Sequence, residues 1–467
     1  MISMKSAALL VTPGDYGLLS DLYQFTMAAC YAGEGLDQRR ASFELFVRHL
    51  PDHFGYLIAM GLAQALEYLE NFRFGPEQIA ALQATDIFQH VPDRFWHLLA
   101  EARFTGDVWA VAEGTAIFAH EPLLRIEAPL WQAQIVETYL LNTLNYQTLI
   151  ASRAARMRDV AGAEAKILEF GSRRAFSPQA SLWAARAAIA AGFDATSNVL
   201  AALQLGEQPT GTMAHALVMA LSALEGSEAK AFAAFHRYFP GAPLLIDTYD
   251  SVEAARYLAQ QVKAGMELTG VRLDSGDLVE LSQTVRSLLP QTDIFASGDL
   301  DEFEIARLKQ AGATLDGYGI GTKLVTGAPV NGVYKIVEID GIAVMKKSSG
   351  KRTYPGRKQI FRRQTGGQIV GDRLALADET PSAGEVTLLQ LVMQAGQRLR
   401  PDDSLQTIAR RTAKTLTSLS KAVRQISRPA TPEATVSEAL AALTAATQQR
   451  IAAQSLKAVA QPQVRQP

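Results

Sequence analysis

The chain has 467 residues, 48% of them hydrophobic and 20% charged, which suits a globular protein with a large core and length for two or three domains. Its net charge of −2 leaves no basic excess to neutralise a nucleic-acid backbone, so nucleic acid is not an expected partner. The single cysteine, Cys30, excludes an internal disulfide and any multi-cysteine metal site, and no apolar run approaches the ~20 residues of a membrane span; a reducing cytoplasm is the expected compartment.

In chain order, the apolar run from Ala7 to Val11 stops at Pro13 and Gly14, too short for a signal-peptide core. Residues 1–130 then mix helical stretches, Ser20–Gly33 and Ala59–Phe72, with strand-like pieces, Ala41–Val47 and Asp107–Ala112. Between 131 and 323 a pattern repeats. Short apolar runs occur at Ala165–Glu169, Ala195–Asn198, Pro209–Met213, Leu244–Asp247, Gly270–Asp274, Ile294–Ser297 and Gly317–Gly321. Helical patterns separate most of them, at Gln179–Ala191, Ser251–Gly265, Leu278–Leu289 and Glu302–Gly312. Strand alternating with helix predicts a parallel sheet with crossover helices, and about seven units predict a closed or nearly closed α/β barrel. Residues 324–400 turn β-rich again, with 332–337 and 342–345 reading as paired strands; with 1–130 they are expected to form a second, discontinuous α+β domain. Residues 401–467 read as a helical tail, disordered over 461–467, where no apolar pattern survives.

Polar residues gather at the ends of the presumed barrel strands: Glu169, Asn198, Thr212, Asp247, Asp274, Ser297 and Gly319. That edge is where α/β barrels build their sites. Gly317-Tyr318-Gly319-Ile320-Gly321-Thr322-Lys323 offers glycines, a hydroxyl and an ammonium to a phosphate, although tight strand-to-loop turns also want glycine. Ala296-Ser297-Gly298-Asp299-Leu300 makes a second small-residue turn on the same edge. In Arg272-Leu273-Asp274-Ser275-Gly276-Asp277 the carboxylates suit ribose hydroxyls or a water-bridged Mg²⁺. Alternatively, Asp277 caps the next helix and Asp274 pairs with Arg272. Phe170 beside Arg173 and Arg174 suits a flat anionic ring, stacked on the phenyl and gripped at its carboxylate by a guanidinium. Tyr23 is either a second plate or a core aromatic of an amphipathic helix. Lys346-Lys347 and Lys351-Arg352 serve a small phosphorylated ligand or a solvated loop. His215, just after Gly211-Thr212-Met213-Ala214, is a packed core histidine or a reactive one. Taken together, the motifs suit an anionic aromatic ring and a polyphosphorylated sugar.

The set Asp21-Leu22-Tyr23-Gln24, Glu169 to Arg174, Thr196-Ser197-Asn198, Gly211 to His215, Arg272 to Asp277, Gly319 to Thr322, Lys346 to Lys351 and Pro355 to Lys358 resembles the nicotinate phosphoribosyltransferase family. The motifs fall in the family's order over roughly residues 15–395, and nothing after about 400 adds to the match. The resemblance implies an irregular α/β barrel with a second mixed domain, in a homodimer whose active sites lie at the subunit interface. It implies ATP-coupled synthesis of nicotinate mononucleotide and diphosphate from nicotinate and 5-phosphoribosyl 1-diphosphate, with Mg²⁺, in NAD salvage. His215 is then the residue transiently phosphorylated by ATP, and Asp274 faces the ribose. Phe170 stacks on the ring from one side, and Tyr23 of the partner subunit from the other. Arg173 or Arg174 holds the carboxylate, with the choice open, and Ser197 and Thr212 complete the substrate-binding set. Ser297, Gly298, Gly319, Gly321 and Thr322 bind the sugar phosphate, while Arg48 and Lys323 reach diphosphate or ATP. Three readings compete. A nicotinamide phosphoribosyltransferase would turn a carboxylate such as Glu169 toward the ring amide. A quinolinate enzyme decarboxylates without ATP. A non-catalytic sensor of a phosphosugar or nucleotide would use the scaffold alone.

Overall fold

The structure is a computed structural model that describes residues 9–348 and 351–460. Ser349 and Gly350, within the lysine-rich motif, and the tail end at 461–467 lie outside the described residues. The two β-rich flanks of the chain meet in one seven-stranded sheet. Its order is Ile342–Ala343, Gly332–Ile339, Arg40–Val47, Pro122–Pro129, Asp107–Val111, Leu389–Gln394, Gln397–Arg398. Arg40–Val47 is buried along almost its whole length because antiparallel neighbours flank it, with Leu45 opposite both Tyr334 and Leu124. A smaller sheet joins Glu385–Thr387, Lys358–Thr365, Gln368–Leu376 and Thr435–Val436.

The middle of the chain forms a parallel sheet of six strands. The order is Ala195–Thr196, Lys166–Glu169, Gly317–Ile320, Asp293–Ser297, Gly270–Leu273, Leu244–Leu245. Helices follow these strands, and their starts are chemically marked: Asp250, Asp277 and Asp301 each accept two backbone N–H bonds, and Ser177 accepts one from Ala180. Asp277 is thus a helix cap. The expected closed barrel is not formed by a continuous ladder, since among the described residues the two edge strands do not pair. Pro209–Met213, read from sequence as a strand, crosses the opening as extended chain. Thr210 N donates to Thr196 O at 2.9 Å on one edge, and Thr212 Oγ1 donates to Pro243 O at 2.6 Å beside the other. Pro209 has no N–H to give, and edge strands of two residues offer too few rungs for a ladder.

The 25-residue helix Glu137–Ala161 joins the two halves. Tyr139, Leu140, Leu144 and Leu149 pack into the core of the antiparallel sheet, whereas Ile150, Ala151, Ala154, Ala155 and Met157 pack into that of the parallel sheet. It has no counterpart among the expected elements because it buries Gln147, Thr148, Ser152 and Arg156 alongside apolar residues, which blurs its apolar stripe. Beyond residue 400 the chain also enters the core. Helix Leu405–Ser418 buries Ile408 and Leu416, Thr412 Oγ1 donates to Ala190 O at 3.0 Å, and Arg411 Nη1 donates to Glu113 O at 2.6 Å. Among the described residues, no helix is long and apolar enough to cross a membrane.

Candidate active site

Successive residues of a strand point to opposite faces, so Leu168 and Phe170 enter the hollow of the parallel sheet while Glu169 turns away. Phe170, Arg272, Gly319 and Thr212 line the upper part of a cavity of about 190 Å³ inside the sheet, which continues past Phe295 to Lys166 and Asp293 at the N-terminal ends of the strands. The glycines on Gly317–Ile320 are required by the rings. A Cβ on Gly319 would sit 2.5 Å from Phe170 Cε2, and one on Gly317 would sit 2.5 Å from Phe295 Cε1. Glu169 is occupied elsewhere: it is fully buried and accepts from Thr196 Oγ1 at 2.5 Å and from Gly171 N. Burial raises its pKa against those two bonds. It does not line the cavity.

His215 opens helix His215–Glu225 with its side chain 40% exposed, which separates it from a packed core histidine. Its Nδ1 lies 3.1 Å from Thr248 Oγ1, and its Nε2 lies 4.0 Å from both Asp247 Oδ1 and Asp274 Oδ2. Asp247 is held from below, its Oδ2 accepting from Asp274 N at 2.8 Å and Ser275 Oγ at 2.7 Å. Its Oδ1 is buried with no hydrogen-bond partner among the described residues. Asp274 accepts from the Ser297 hydroxyl through Oδ1, which also lies 3.4 Å from Arg272 Nη1. Arg272 Nη2 donates to Met213 O at 2.8 Å, while its Nε is buried and unpartnered among the described residues. Burial lowers the Arg272 pKa; Asp274 and Asp247 oppose this and nearby Arg173 adds to it. Arg173 and Arg174 themselves stand exposed in the turn after Phe170. Glu228, first residue of helix Glu228–Tyr238, has a buried Oε1 with no hydrogen-bond partner among the described residues; burial, with Asp247 and Asp250 nearby, pushes its carboxyl up to about 7.

Two loops complete this edge. Ser297 ends its strand, and Gly298 and Asp299 follow at φ +96° and +49°. Gly321 precedes the short helix Thr322–Val325, and Lys323 Nζ lies 3.9 Å from Asp301 Oδ2 of the first loop. The backbone N–H of Ser197 donates to Glu169 O at 2.9 Å, and the Thr212 hydroxyl is taken by Pro243. The fold therefore brings together His215, Asp274, Phe170, Thr212, Ser297, Gly298 and Gly319, with Ser197, Gly321, Thr322 and Lys323 at adjoining strand ends. Neither Tyr23 nor Arg48 lines the cavity. Tyr23 is 48% exposed on helix Leu22–Gly33, and Arg48 lies over the Phe46 ring at 5.9 Å. From sequence, Asp247 reads only as a strand end and Arg272 only as a partner for Asp274, while Thr248 and Glu228 are not singled out at all. Arg272 was legible there, because two residues before Asp274 on a strand is the same face. Thr248 and Glu228 carry no such signal. Among the described residues no group of three or more His, Cys, Asp or Glu is arranged to hold a metal.

The chain matches the nicotinate phosphoribosyltransferase N-terminal domain over residues 18–145, the nicotinate phosphoribosyltransferase family over 165–353 and the nicotinate phosphoribosyltransferase C-terminal domain over 385–444. The last match extends past residue 400, where the sequence had carried no resemblance. A nicotinate phosphoribosyltransferase of Mycobacterium tuberculosis is 43% identical over 395 residues, covering 82% of this chain and 83% of its own. One from Bacillus subtilis is 42% identical over 382 residues, covering 78% and 76%. The crystal structure of human nicotinic acid phosphoribosyltransferase superimposes with a TM-score of 0.79 at 30% identity, covering 92% of this chain and 99% of that one.

Proposed function

The chain belongs to the nicotinate phosphoribosyltransferase family, and on that premise we propose how its site works. It acts in NAD salvage, joining nicotinate to 5-phosphoribosyl 1-diphosphate. The pyridine nitrogen forms a bond to the anomeric carbon as the carbon–oxygen bond to diphosphate breaks, through an oxocarbenium-like ribose. Rate enhancement comes from placing the two reactants and from stabilising the departing diphosphate. The observation that carries this reading is the position of Asp274, bonded to Ser297 at one loop, beside Arg272 at the ring cavity, and 4.0 Å from His215. Phe170 offers the stacking face, and the unpartnered Nε of Arg272 supports that arginine as the carboxylate grip, with Arg173 or Arg174 as a second cation. The exposure of Tyr23 and its absence from the cavity lining favour a homodimer in which Tyr23 of the partner subunit covers the ring. Glu169 is spent inside the fold, so it offers no carboxylate to an amide, and the nicotinamide reading is not favoured.

ATP acts as co-substrate in this reading, phosphorylating His215. With Nδ1 protonated and donating to Thr248 Oγ1, 3.1 Å away, the Nε2 lone pair is the nucleophile that attacks the γ-phosphorus as ADP leaves. The added charge beside the diphosphate loops then alters substrate affinity. The buried, unpartnered Oδ1 of Asp247 and the half-exposed carboxylate of Asp274 fit a water-bridged Mg²⁺ arriving with the diphosphate. Such an ion would offset diphosphate charge. The cytoplasm, where these substrates meet, is the proposed compartment. The test is mononucleotide formation from phosphoribosyl diphosphate with nicotinate or nicotinamide, with and without ATP, in the native chain and in His215→Ala. Product from nicotinate alone, raised by ATP only when His215 is present, is expected. Equal ATP stimulation in His215→Ala removes the phosphohistidine, and product from nicotinamide overturns the carboxylate assignment.

A further inference from the structure

The two loops assigned to the sugar phosphate and diphosphate are held from behind by one helix. Arg153 and Arg156 stand one turn apart on Glu137–Ala161 and so share a face. Arg153 Nη1 donates to Leu324 O at 3.3 Å and to Thr326 O, the carbonyls at the end of helix Thr322–Val325. Gly327 crosses this guanidinium at φ +115°, where a Cβ would lie 2.6 Å from Arg153 Nη2. Arg156 Nε donates to Glu302 Oε1 at 2.9 Å, and Glu302 is the first residue of the helix that leaves the Ser297–Asp299 turn. The side chains of this pair are 1% and 7% exposed. The Arg156 guanidinium also lies 4.4 Å from the centre of the Phe54 ring, and its Nη2 donates to Ile426 O at 3.2 Å, tying in the C-terminal segment. Its Nη1 is buried without a partner among the described residues. A buried arginine placed on a surface loop's first helical carboxylate fixes where that helix starts, because a displaced Glu302 would leave two charges unpaired away from water.

We propose that Arg153 and Arg156 are positioning residues for phosphoribosyl diphosphate, setting the spacing of its two phosphate-binding loops without touching it. The proposal rests on reading Ser297, Gly298, Gly321 and Thr322 as phosphate-binding. The loops follow neighbouring strands, with Ser297 opposite Gly319, so fixing one helix start and one helix end fixes both turns relative to the sheet. Displacements near 1 Å between substrate and catalytic groups can cost about a hundredfold in rate, which sets the scale of the effect.

The test uses the full chain and steady-state kinetics with each substrate varied in turn. Arg156→Leu combined with Glu302→Leu replaces the buried pair by apolar groups, a change often tolerated by a fold. It is expected to raise the KM for phosphoribosyl diphosphate by roughly ten- to a hundredfold while the nicotinate KM changes by less than about twofold. Arg153→Met, at a half-exposed position, is expected to act in the same direction and carries the test if the double variant does not fold. Arg156→Lys, which keeps the charge on Glu302, is expected to recover most of the affinity. A folded double variant or Arg153→Met with an unchanged KM for phosphoribosyl diphosphate overturns the proposal. Gly298→Ala separates the underlying assignment: its Cβ would strike Asp274 O, and its φ of +96° strains any side chain. If Gly298→Ala leaves that KM unchanged, the loop is not the phosphate site. If Gly298→Ala raises it and the arginine variants do not, the loop assignment stands and the positioning role fails.

Discussion

Gly319→Ala tests what the glycines of the last strand are for. Its backbone is extended, so alanine meets no conformational penalty there. The new Cβ would instead lie 2.5 and 2.6 Å from Cε2 and Cδ2 of Phe170 and 3.3 Å from Ser297 Cβ. Carbon atoms rest at about 3.5–4.0 Å, so the phenyl ring must retreat by roughly 1 Å or more into a cavity that the substrate ring also needs. Overpacking of this kind costs about 1–3 kcal/mol, and an aromatic stack that no longer aligns forfeits about 1 kcal/mol. At about 1.4 kcal/mol per decade, nicotinate KM should rise by about fivefold. The KM for phosphoribosyl diphosphate should move by less than about threefold, since Gly319 lies within the strand rather than in the turn beyond it. Initial rates with each substrate varied separately, alongside thermal unfolding, make the measurement. A selective rise in the KM for phosphoribosyl diphosphate would refute the ring-seat reasoning and return Gly319 to the phosphate cradle. An unchanged enzyme would mean that Phe170 does not face the substrate.

Arg272→Met should lose nicotinate affinity by about a hundredfold, as expected when one partner of a desolvated charge pair is removed, whereas Arg173→Ala and Arg174→Ala should each lose under about tenfold in nicotinate titrations. The reverse ranking would assign the carboxylate to the exposed turn. Glu228, raised from 4.5 to about 7, favours the folded state at low pH and loses that contribution as pH climbs from the unfolded value through the folded one. Glu228→Gln should therefore unfold at the same temperature as the native chain at pH 4.5 and at a higher one at pH 8.5; equal midpoints at both pH values would show that Glu228 ionises normally. Ile408→Ala empties a fully buried position beneath helix Leu405–Ser418, and denaturant unfolding should register a loss of about 2–5 kcal/mol if the segment after residue 400 belongs to the core.

Much of the fold was legible because local chemistry recurs. Apolar runs with glycine or polar ends marked the strands of the parallel sheet, and Asp250, Asp277 and Asp301 each sit where a helix begins. Thr212, Asp274 and Ser297 read as strand ends, with Phe170 directly after Glu169 and His215 shortly after Met213, which sets them on one edge because parallel strands align their C-terminal ends. Other features had no local signature. Pro209–Met213 reads like a strand but crosses an opening whose two edges are too short to pair with it. The helix Glu137–Ala161 hides its periodicity because it is surrounded by protein, and the segment after 400 looked like a tail because its partners lie as far as 374 residues away in sequence. Chain order and side-chain chemistry alone name the residues capable of this reaction and the order in which they come. The tertiary structure alone decided that Gly319 yields space to Phe170, that the Thr212 hydroxyl is spent on Pro243, and that Arg272 faces the cavity with a free Nε. Turn and strand preferences act over a few residues, whereas packing and desolvation act between neighbours in space that the chain order does not reveal.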